Sequence, residues 1–237
     1  MNTQNKDPKV FEFLTKEDLI MYTSLILELA IRHLDRYNRY IKELEKFIVE
    51  NDEFRYTEYK EIEDKLNTPQ NHLLNLFGDN SKNAASYLRI RRIMKEKKEK
   101  FNIDYIEHDQ DNREILNHLY KTRNYEHHVT DSKIMEWGLY RKRQLVAMPY
   151  INWPTEEIKI NYSEYLERES VVHNYEAAKQ MQDYFKKLLQ LMKKDYSLLI
   201  GKSMKVSRVT HAVSNTNDLF QISENGQSRH LGKRKKM

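Results

Sequence analysis

The sequence predicts an all-α fold, a helical bundle with a long first helix, a long last helix and a short irregular insertion. The 237 residues include only 5 glycines and 4 prolines, fewer than the many turns of an all-β protein need. Apolar residues recur at steps of three and four over long stretches, which is the period of one helix face. Hydrophobic residues make up 39% of the chain and charged residues 32%, enough apolar content for a folded core.

The first helix is predicted from about Thr15 to Asn51. Thr15 is a good N-cap, and Glu17 and Asp18 put carboxylates in the first turn, where the helix dipole favours them. A helix of this length buries an apolar stripe only against helical neighbours. The stripe consists of Leu19, Tyr22, Ile26, Ala30, Leu34, Tyr37, Ile41, Leu44 and Ile48.

Shorter helices are predicted in the middle of the chain. A helix near 56–66 is followed by Thr68 and Pro69, which fit an N-cap and a first helical proline. This pair predicts a separate short helix that runs through Phe77 and stops at Gly78. Further predicted helices cover about 82–100, about 112–124 and the residues from 130 onward.

Residues 148–162 interrupt the helical period. Pro149 and Pro154 lie there, and residues 157–162 alternate polar and apolar side chains, which predicts a loop with a short edge strand. The last long helix is predicted over about 172–199, with Gly201 as the residue that ends it.

The chain is predicted to divide into an all-α bundle domain, residues 1–201, and a basic, mobile C-terminal tail, residues 202–237. Residues 200–237 hold eight basic and two acidic side chains, so this end carries all of the net charge of +5. The bundle itself is therefore nearly neutral, and the net charge says little about its partners.

The composition excludes several classes of site. The chain has no cysteine, which excludes a disulfide framework, a thiolate nucleophile and a cysteine-based metal site. No two glycines lie close enough for a glycine-rich phosphate loop. No apolar run approaches the roughly 18 residues of a membrane span, and the polar residues 1–7 predict no signal peptide. We therefore expect a cytoplasmic protein without membrane contact.

The candidate catalytic residues are Arg123, Asn124, His127 and His128, at the junction of two predicted helices. Arginine offers a fixed, charged fork that grips phosphate. Histidine titrates near pH 6.5, so it can take a proton from a hydroxyl and return one to a leaving oxygen. Asparagine can orient either group without titrating. Such a set can cleave RNA without a metal or cofactor, by attack of the ribose 2′-hydroxyl while arginine stabilises the phosphorane.

Helix geometry restricts how these side chains can meet. On a continuous helix Arg123 and His127 share a face, and Asn124 and His128 share the next one. His128 then points about 140° away from Arg123. Arg123 and His128 therefore converge only if the helix breaks between them or if they meet across a subunit interface.

An arginine, then asparagine, then histidine a few residues later resembles the motif of the HEPN superfamily. The resemblance implies a small all-α, metal-independent endoribonuclease in phage defence or a toxin system, with Arg123, Asn124 and His128 as its site and His127 as an adjacent candidate. It also implies RNA as substrate, a homodimer whose two motifs form one composite site, and an antitoxin or other regulatory partner. In this chain a further predicted helix and the irregular insertion follow the motif before the long last helix.

A non-catalytic helical module that binds nucleic acid or protein is the first alternative. In that interpretation Arg123 lies on a solvated helix end and pairs with Glu126 or Asp131. The motif is permissive, because the residues from Arg168 to His173 also match it. That second match has a glutamate beside the arginine, which repels phosphate and ranks it lower.

A metal-dependent phosphohydrolase is the second alternative. His108 and Asp109 resemble the metal dyad of HD phosphohydrolases, and a distant His33 or His72 could complete a site that activates water. The surrounding run 107–111 is polar, which favours a turn that caps the next helix. We therefore expect no metal.

Two basic stretches are candidate nucleic-acid-binding surfaces, because lysine and arginine neutralise backbone phosphates. A solvated helix face is the competing interpretation of both. The candidate residues are Arg89, Arg91, Arg92, Lys95, Arg141, Lys142 and Arg143.

Overall fold

The computed structural model describes residues 12–127, 139, 142–143, 164–207, 220–222 and 228–230. The chain divides into two compact units, Met1–Met204 and Lys205–Met237. In the first unit the described helices are α1 (Lys16–Glu50), α2 (Tyr56–Gly78), α3 (Tyr87–Glu96), α4 (Gln110–His127) and α5 (Arg168–Ile200).

The first unit is the predicted all-α bundle with a long first and a long last helix. Helix α1 packs along both α2 and α5, α4 packs on α2, and α3 lies against α1 and α2. The centre of the bundle is aromatic and aliphatic. Its fully buried side chains include Tyr37, Phe77, Tyr87, Phe185 and Met192.

The ends of the two long helices agree with the predicted signals. Thr15 and Asp18 form a capping box: the Thr15 hydroxyl accepts from the Asp18 amide at 3.1 Å, and the Asp18 carboxylate accepts from the Thr15 amide at 2.9 Å. Helix α5 ends at Gly201, whose φ of 68° is the left-handed conformation that glycine adopts without strain.

Helix α2 corrects the prediction of two short helices around Pro69. The helix is continuous over Tyr56–Gly78, with a buried Pro69 inside it. An interior proline costs about 3 kcal/mol, whereas each fully buried leucine contributes about 1.5–3 kcal/mol. Leu66 and Leu73 are buried on either side of the proline, so the continuous apolar stripe outweighs the proline signal.

Helices α3 and α4 differ from their predicted lengths. Helix α3 covers only part of the predicted 82–100, because Ser86 caps its N-terminus by accepting from the Arg89 amide. Helix α4 exceeds the predicted 112–124 at both ends. The helix predicted from residue 130 and the strand predicted at 157–162 lie outside the described residues, apart from the helical residues 139, 142 and 143.

Two short antiparallel strand pairs accompany the helices. Strands β1 (Phe54–Arg55) and β2 (Tyr165–Leu166) bring the starts of α2 and α5 together. In the second unit β3 (Phe220–Ile222) pairs with β4 (Ser228–His230), a hairpin that the sequence did not predict. None of the described helices is both long and apolar enough to cross a membrane.

Gly78 allows α2 and α4 to approach closely. A Cβ atom on Gly78 would lie 2.7 Å from the carbonyl oxygen of Leu119 and 2.9 Å from its carbon. Both atoms belong to the backbone of α4 and cannot rotate away. The missing side chain therefore sets the spacing between these two helices.

We expect Gly78→Ala to destabilise the bundle. Forcing an extra methyl group into a packed contact costs typically 1–3 kcal/mol. Alanine is more favourable than glycine in a helix by roughly 1 kcal/mol, which does not exceed that cost. The urea midpoint of unfolding should fall, whereas the exposed Asn80→Ala should leave it unchanged. An unaltered midpoint for Gly78→Ala would show that α4 can move aside freely.

Candidate functional site

Arg123 lies near the end of α4, where α4 packs against the C-terminal end of α2. Its Nε donates to Asn75 Oδ1 at 3.3 Å, its Nη1 to Asn124 Oδ1 at 3.2 Å and its Nη2 to Asp79 Oδ2 at 3.0 Å. The guanidinium has five N–H donors, and these three bonds use three of them. Arg123 is therefore held in one orientation by α2 and by its own neighbour Asn124.

Asp79 connects Arg123 to the loop between α2 and α3. Its Oδ2 accepts from Arg123, and its Oδ1 accepts from the Ser81 amide at 2.9 Å. The Asp79 carbonyl accepts from the Ser86 hydroxyl at 2.6 Å. The sequence suggested Glu126 or Asp131 as the carboxylate partner of Arg123. In the structure Arg123 pairs with Asp79, which lies 44 residues before it in the chain.

The candidate histidines follow Arg123 along the chain. Helix α4 is continuous from Gln110 to His127, so the possible break between Arg123 and His128 does not come before His127. Positions 123 and 127 therefore lie on one face of α4 by the helical period. His128 lies outside the described residues.

Arg89 and Arg91 are buried and bonded within the protein, which argues against their prediction as nucleic-acid-binding residues. Their exposed fractions are 5% and 6%. The Arg89 guanidinium lies over the Phe13 ring at 5.0 Å and donates to the Ala84 carbonyl at 3.4 Å. These two arginines hold α3 against the bundle.

The other predicted nucleic-acid-binding residues are more accessible. Arg92 is half-buried and donates to the Ser81 carbonyl at 3.2 Å, and the exposed Lys95 pairs with Glu107 at 2.7 Å. Lys142 and Arg143 are exposed, and Arg141 lies outside the described residues.

A groove of about 500 Å³ lies beside α3. Its wall contains Arg92, and Arg92 bonds to Ser81 in the loop that Asp79 joins to Arg123. The groove is therefore connected to Arg123 by consecutive hydrogen bonds. Its lining combines four basic, two acidic and several apolar residues: Glu12, Phe13, Leu14, Lys82, Asn83, Arg89, Arg92, Ile93, Glu96 and Lys97.

A buried polar network joins α3 to α5. Arg91 Nη1 lies 3.1 and 3.2 Å from the two carboxylate oxygens of Asp195, and the Tyr87 hydroxyl donates to Asp195 at 2.6 Å. The second Arg91 nitrogen donates to the Ile106 carbonyl at 2.6 Å, and the guanidinium lies 4.3 Å from the Tyr105 ring centre. Burial, and then the charge of Asp195, raises the pKa of Tyr87 well above its ordinary value.

The sequence did not identify Asp195 and Tyr87 as partners in a buried site. A signal was present, because Asp195 interrupts the apolar stripe of the last helix between Met192 and Leu199. A carboxylate at such a position is buried only if a partner compensates it. The sequence alone does not identify that partner, since Arg91 is 104 residues away.

His108 belongs to this network rather than to a metal site. Its Nε2 is 3.1 Å from the Tyr87 hydroxyl, and because that hydroxyl donates to Asp195, the His108 tautomer with a proton on Nε2 fits best. Burial lowers the pKa of His108, and the charge of Arg91 lowers it further.

The other residues of the alternative metal site do not join His108 in one cluster. Asp109 caps α4, where its Oδ1 accepts from the Asn112 amide at 2.8 Å. His33 and His72 stack on each other with ring centres 4.3 Å apart. Within the described parts of the chain, no three His, Asp or Glu side chains are grouped to hold a metal ion.

Comparisons with protein-family models, with curated proteins and with solved structures give no match for this chain.

We expect Asp195→Ala to be strongly destabilising. Removing one partner of a buried ion pair typically costs 3–5 kcal/mol, because the other charge stays buried and uncompensated. The exposed pair of Lys95 and Glu107 provides the control, since Glu107→Ala removes a surface bond worth about 0–1 kcal/mol. Urea unfolding gives the free energy of unfolding of both variants. If Asp195→Ala lowered it as little as Glu107→Ala does, Asp195 would not compensate the buried charge of Arg91.

The pKa of His108 predicts how the stability of the fold depends on pH. Because the folded pKa is lowered, the unfolded chain binds a proton below about pH 6.5 that the folded chain does not. The stability that neutral His108 contributes is therefore lost as the pH falls through that value. His33 shifts in the same direction, mainly through burial.

Urea midpoints at about pH 7.5 and about pH 5.5, on either side of the ordinary histidine pKa, measure this effect. The decrease should be smaller in His108→Gln than in the wild type. Substitution of the exposed His118 by glutamine is the control and should keep the wild-type decrease. An identical decrease in all three proteins would assign the pH dependence to other groups.

Proposed function

We propose that this chain is a metal-independent endoribonuclease of HEPN type that acts in phage defence or as a toxin. The observation that carries the proposal is the orientation of Arg123 by Asn75, Asp79 and Asn124 one helical turn before His127. A catalytic group needs neighbours that hold it in place. Two N–H donors of Arg123 are not used by these three bonds and can face a phosphate.

In this mechanism the ribose 2′-hydroxyl attacks the adjacent phosphorus and the 5′-oxygen leaves. The products are a 2′,3′-cyclic phosphate and a 5′-hydroxyl end. His128, or His127, removes the proton of the 2′-hydroxyl or returns one to the leaving oxygen. Arg123 stabilises the charge of the phosphorane. Asn124, bonded to Arg123 at 3.2 Å, is a positioning residue.

The substrate is RNA, and the groove beside α3 offers a path for its backbone. Arg92 and Lys97 line this groove together with Lys82, and the loop of Asp79 and Ser81 connects it to Arg123. Lys142 and Arg143 add exposed positive charge. The protein is cytoplasmic in this proposal, two copies supply a composite site, and an antitoxin or other partner regulates it.

The test is cleavage of single-stranded RNA of mixed sequence in the presence of EDTA. Arg123→Ala and His128→Ala should each lower the rate by about 10²-fold or more, the usual effect of removing a charge-stabilising or proton-transfer group. Arg113→Ala is the matched control, because Arg113 is exposed on the same helix. A strand of the same sequence in 2′-deoxy form should stay intact.

Three results would contradict the proposal. They are loss of cleavage on adding EDTA, unchanged cleavage in Arg123→Ala, and cleavage of the 2′-deoxy strand. Circular dichroism and urea unfolding of each variant separate lost catalysis from lost folding.

The ion pair between Arg123 and Asp79 favours a second candidate, a non-catalytic helical module that binds nucleic acid or protein. Here Asp79 neutralises Arg123, and the pair fixes the loop between α2 and α3. This candidate predicts that Asp79→Ala and Arg123→Ala destabilise the fold by similar amounts and are not additive together. It also predicts that the wild type binds RNA or a protein without cleaving RNA.

A further inference from the structure

A stacked pair of histidines joins α1 to α2. The ring centres of His33 and His72 are 4.3 Å apart, and the ring planes are inclined by 25°. His33 belongs to α1 and is half-buried, whereas His72 belongs to α2 and is exposed. The half-buried ring therefore supports the exposed one, because stacking restricts the orientation of both rings.

His33 is suited to be the fixed member of this stack. Its Nδ1 atom is buried and has no hydrogen-bond partner within the described residues. A proton on that atom would be a buried donor without an acceptor, which costs free energy. Burial lowers the pKa of His33, and the charges of His72 and Arg36 lower it further. His33 therefore stays neutral near neutral pH and leaves proton exchange to His72.

The exposed member of the stack lies one helical turn from the contact between α2 and Arg123. His72 is three positions before Asn75, a spacing that puts Cβ atoms about 5–6 Å apart on a helix. Asn75 Oδ1 accepts from Arg123 Nε at 3.3 Å, and Asp79 accepts from Nη2 of the same guanidinium at 3.0 Å. Steps of three and four residues therefore place His72 on the side of α2 that meets Arg123.

The pairing of α2 with α4 supports the same placement. Gly78 lies against the backbone of Leu119, and Asn75 contacts Arg123, so the two helices run in opposite directions. One further turn along each helix brings the turn of α2 with position 72 beside the turn of α4 with position 127. Arg123 therefore has histidine positions near it on two different helices.

The proposed cleavage reaction needs two proton-transfer groups. The 2′-oxygen forms a bond to phosphorus while the bond from phosphorus to the 5′-oxygen breaks. One group takes the proton of the 2′-hydroxyl, and the other gives a proton to the 5′-oxygen. His127 or His128 supplies one of these groups. The other can come from a different element whose imidazole reaches the same phosphate.

We propose that His72 lines the phosphate site of Arg123 and is its second proton-transfer group, with His33 as the positioning residue behind it. This inference rests on the proposed endoribonuclease function and adds a residue of α2 that the motif on α4 does not contain. The ligand is the scissile phosphodiester of single-stranded RNA. Arg36, three positions after His33, adds positive charge on the α1 side, which favours an anion.

Binding can be tested apart from cleavage with the 2′-deoxy strand, which the proposed reaction cannot cut. NMR spectra follow the rings of the nine histidines as the strand is added, and His72→Gln identifies the His72 signal by its loss. That signal should shift in the wild type and stay in place in Arg123→Ala. The control is the exposed His118, which is five positions before Arg123 and points about 140° away from it. Its signal should not move.

The catalytic role of His72 can be tested in the RNA-cleavage assay with EDTA. His72→Ala should lower the rate by about 10²-fold or more. Imidazole added to the solution should restore part of that rate, because the site of the lost ring is exposed, and should not rescue Arg123→Ala. His173→Ala is the matched control and should cleave like the wild type. His173 is exposed on α5, which begins beside the start of α2, at the opposite end from Asp79.

The positioning role of His33 requires a ring and not a titrating nitrogen. His33→Ala removes the support of His72 and should slow cleavage, whereas His33→Phe keeps a flat ring and should restore most of the rate. Urea midpoints of both variants separate this effect from a loss of folding. Equal slowing in the two variants would show that His33 does not act as a stacking support.

Three results would overturn the proposed role of His72. A His72 signal that does not respond to the 2′-deoxy strand would place this residue outside the phosphate site, whether or not the protein cleaves RNA. Full activity of His72→Ala, together with loss of activity in Arg123→Ala, would remove His72 from the mechanism and leave the nuclease proposal intact. A wild type that cleaves no RNA would overturn the nuclease proposal and, with it, proton transfer by His72.

Discussion

The buried ion pair between Arg91 and Asp195 is the interaction on which the arrangement of the described helices depends. It joins α3 to the last helix, and the second Arg91 nitrogen also holds the Ile106 carbonyl just before α4. Two charges that are 6% and 4% exposed are tolerable only with nearly all their hydrogen bonds satisfied. Tyr87 supplies a further bond to Asp195. The pair therefore determines the position of α3. An apolar pair of similar volume would give similar stability without fixing that position.

Arg123 has a related role in the loop that precedes α3. The pair with Asp79 fixes the loop that leads from α2 into α3, and the absent side chain of Gly78 brings α4 close enough to form it. The same contacts can serve catalysis or structure, because an arginine that orients a phosphate must itself be oriented. The role of Arg123 is catalytic if its remaining N–H donors bind a phosphate, and structural if they do not.

Some basic residues of α3 are buried and others are accessible to solvent, a difference that the net charge does not show. Arg89 and Arg91 are buried cations with aromatic rings beside them, at 5.0 Å from Phe13 and 4.3 Å from Tyr105. Arg92 is half-buried and lines the groove. Successive positions on a helix point about 100° apart, so neighbouring arginines can serve the core and the surface.

The sequence alone determined the helical class, the capping box at Thr15, the buried stripe of α1 and the end of the last helix at Gly201. These features depend on local periodicity and on the conformational preferences of single residues, which a linear pattern records. The sequence also determined that Arg123 and Asn124 are adjacent on a helix. Tertiary structure decided which partners they meet.

Only the tertiary structure decided that α2 continues through Pro69, that Asp79 pairs with Arg123 and that Asp195 pairs with Arg91. Each depends on groups far apart in the chain or on the summed burial of a whole stripe. Local signals at Pro69 favour a helix start, and burial of its flanking leucines outweighs them. A charge pair 104 residues apart leaves no periodic trace in the sequence, because its formation depends on how the helices pack.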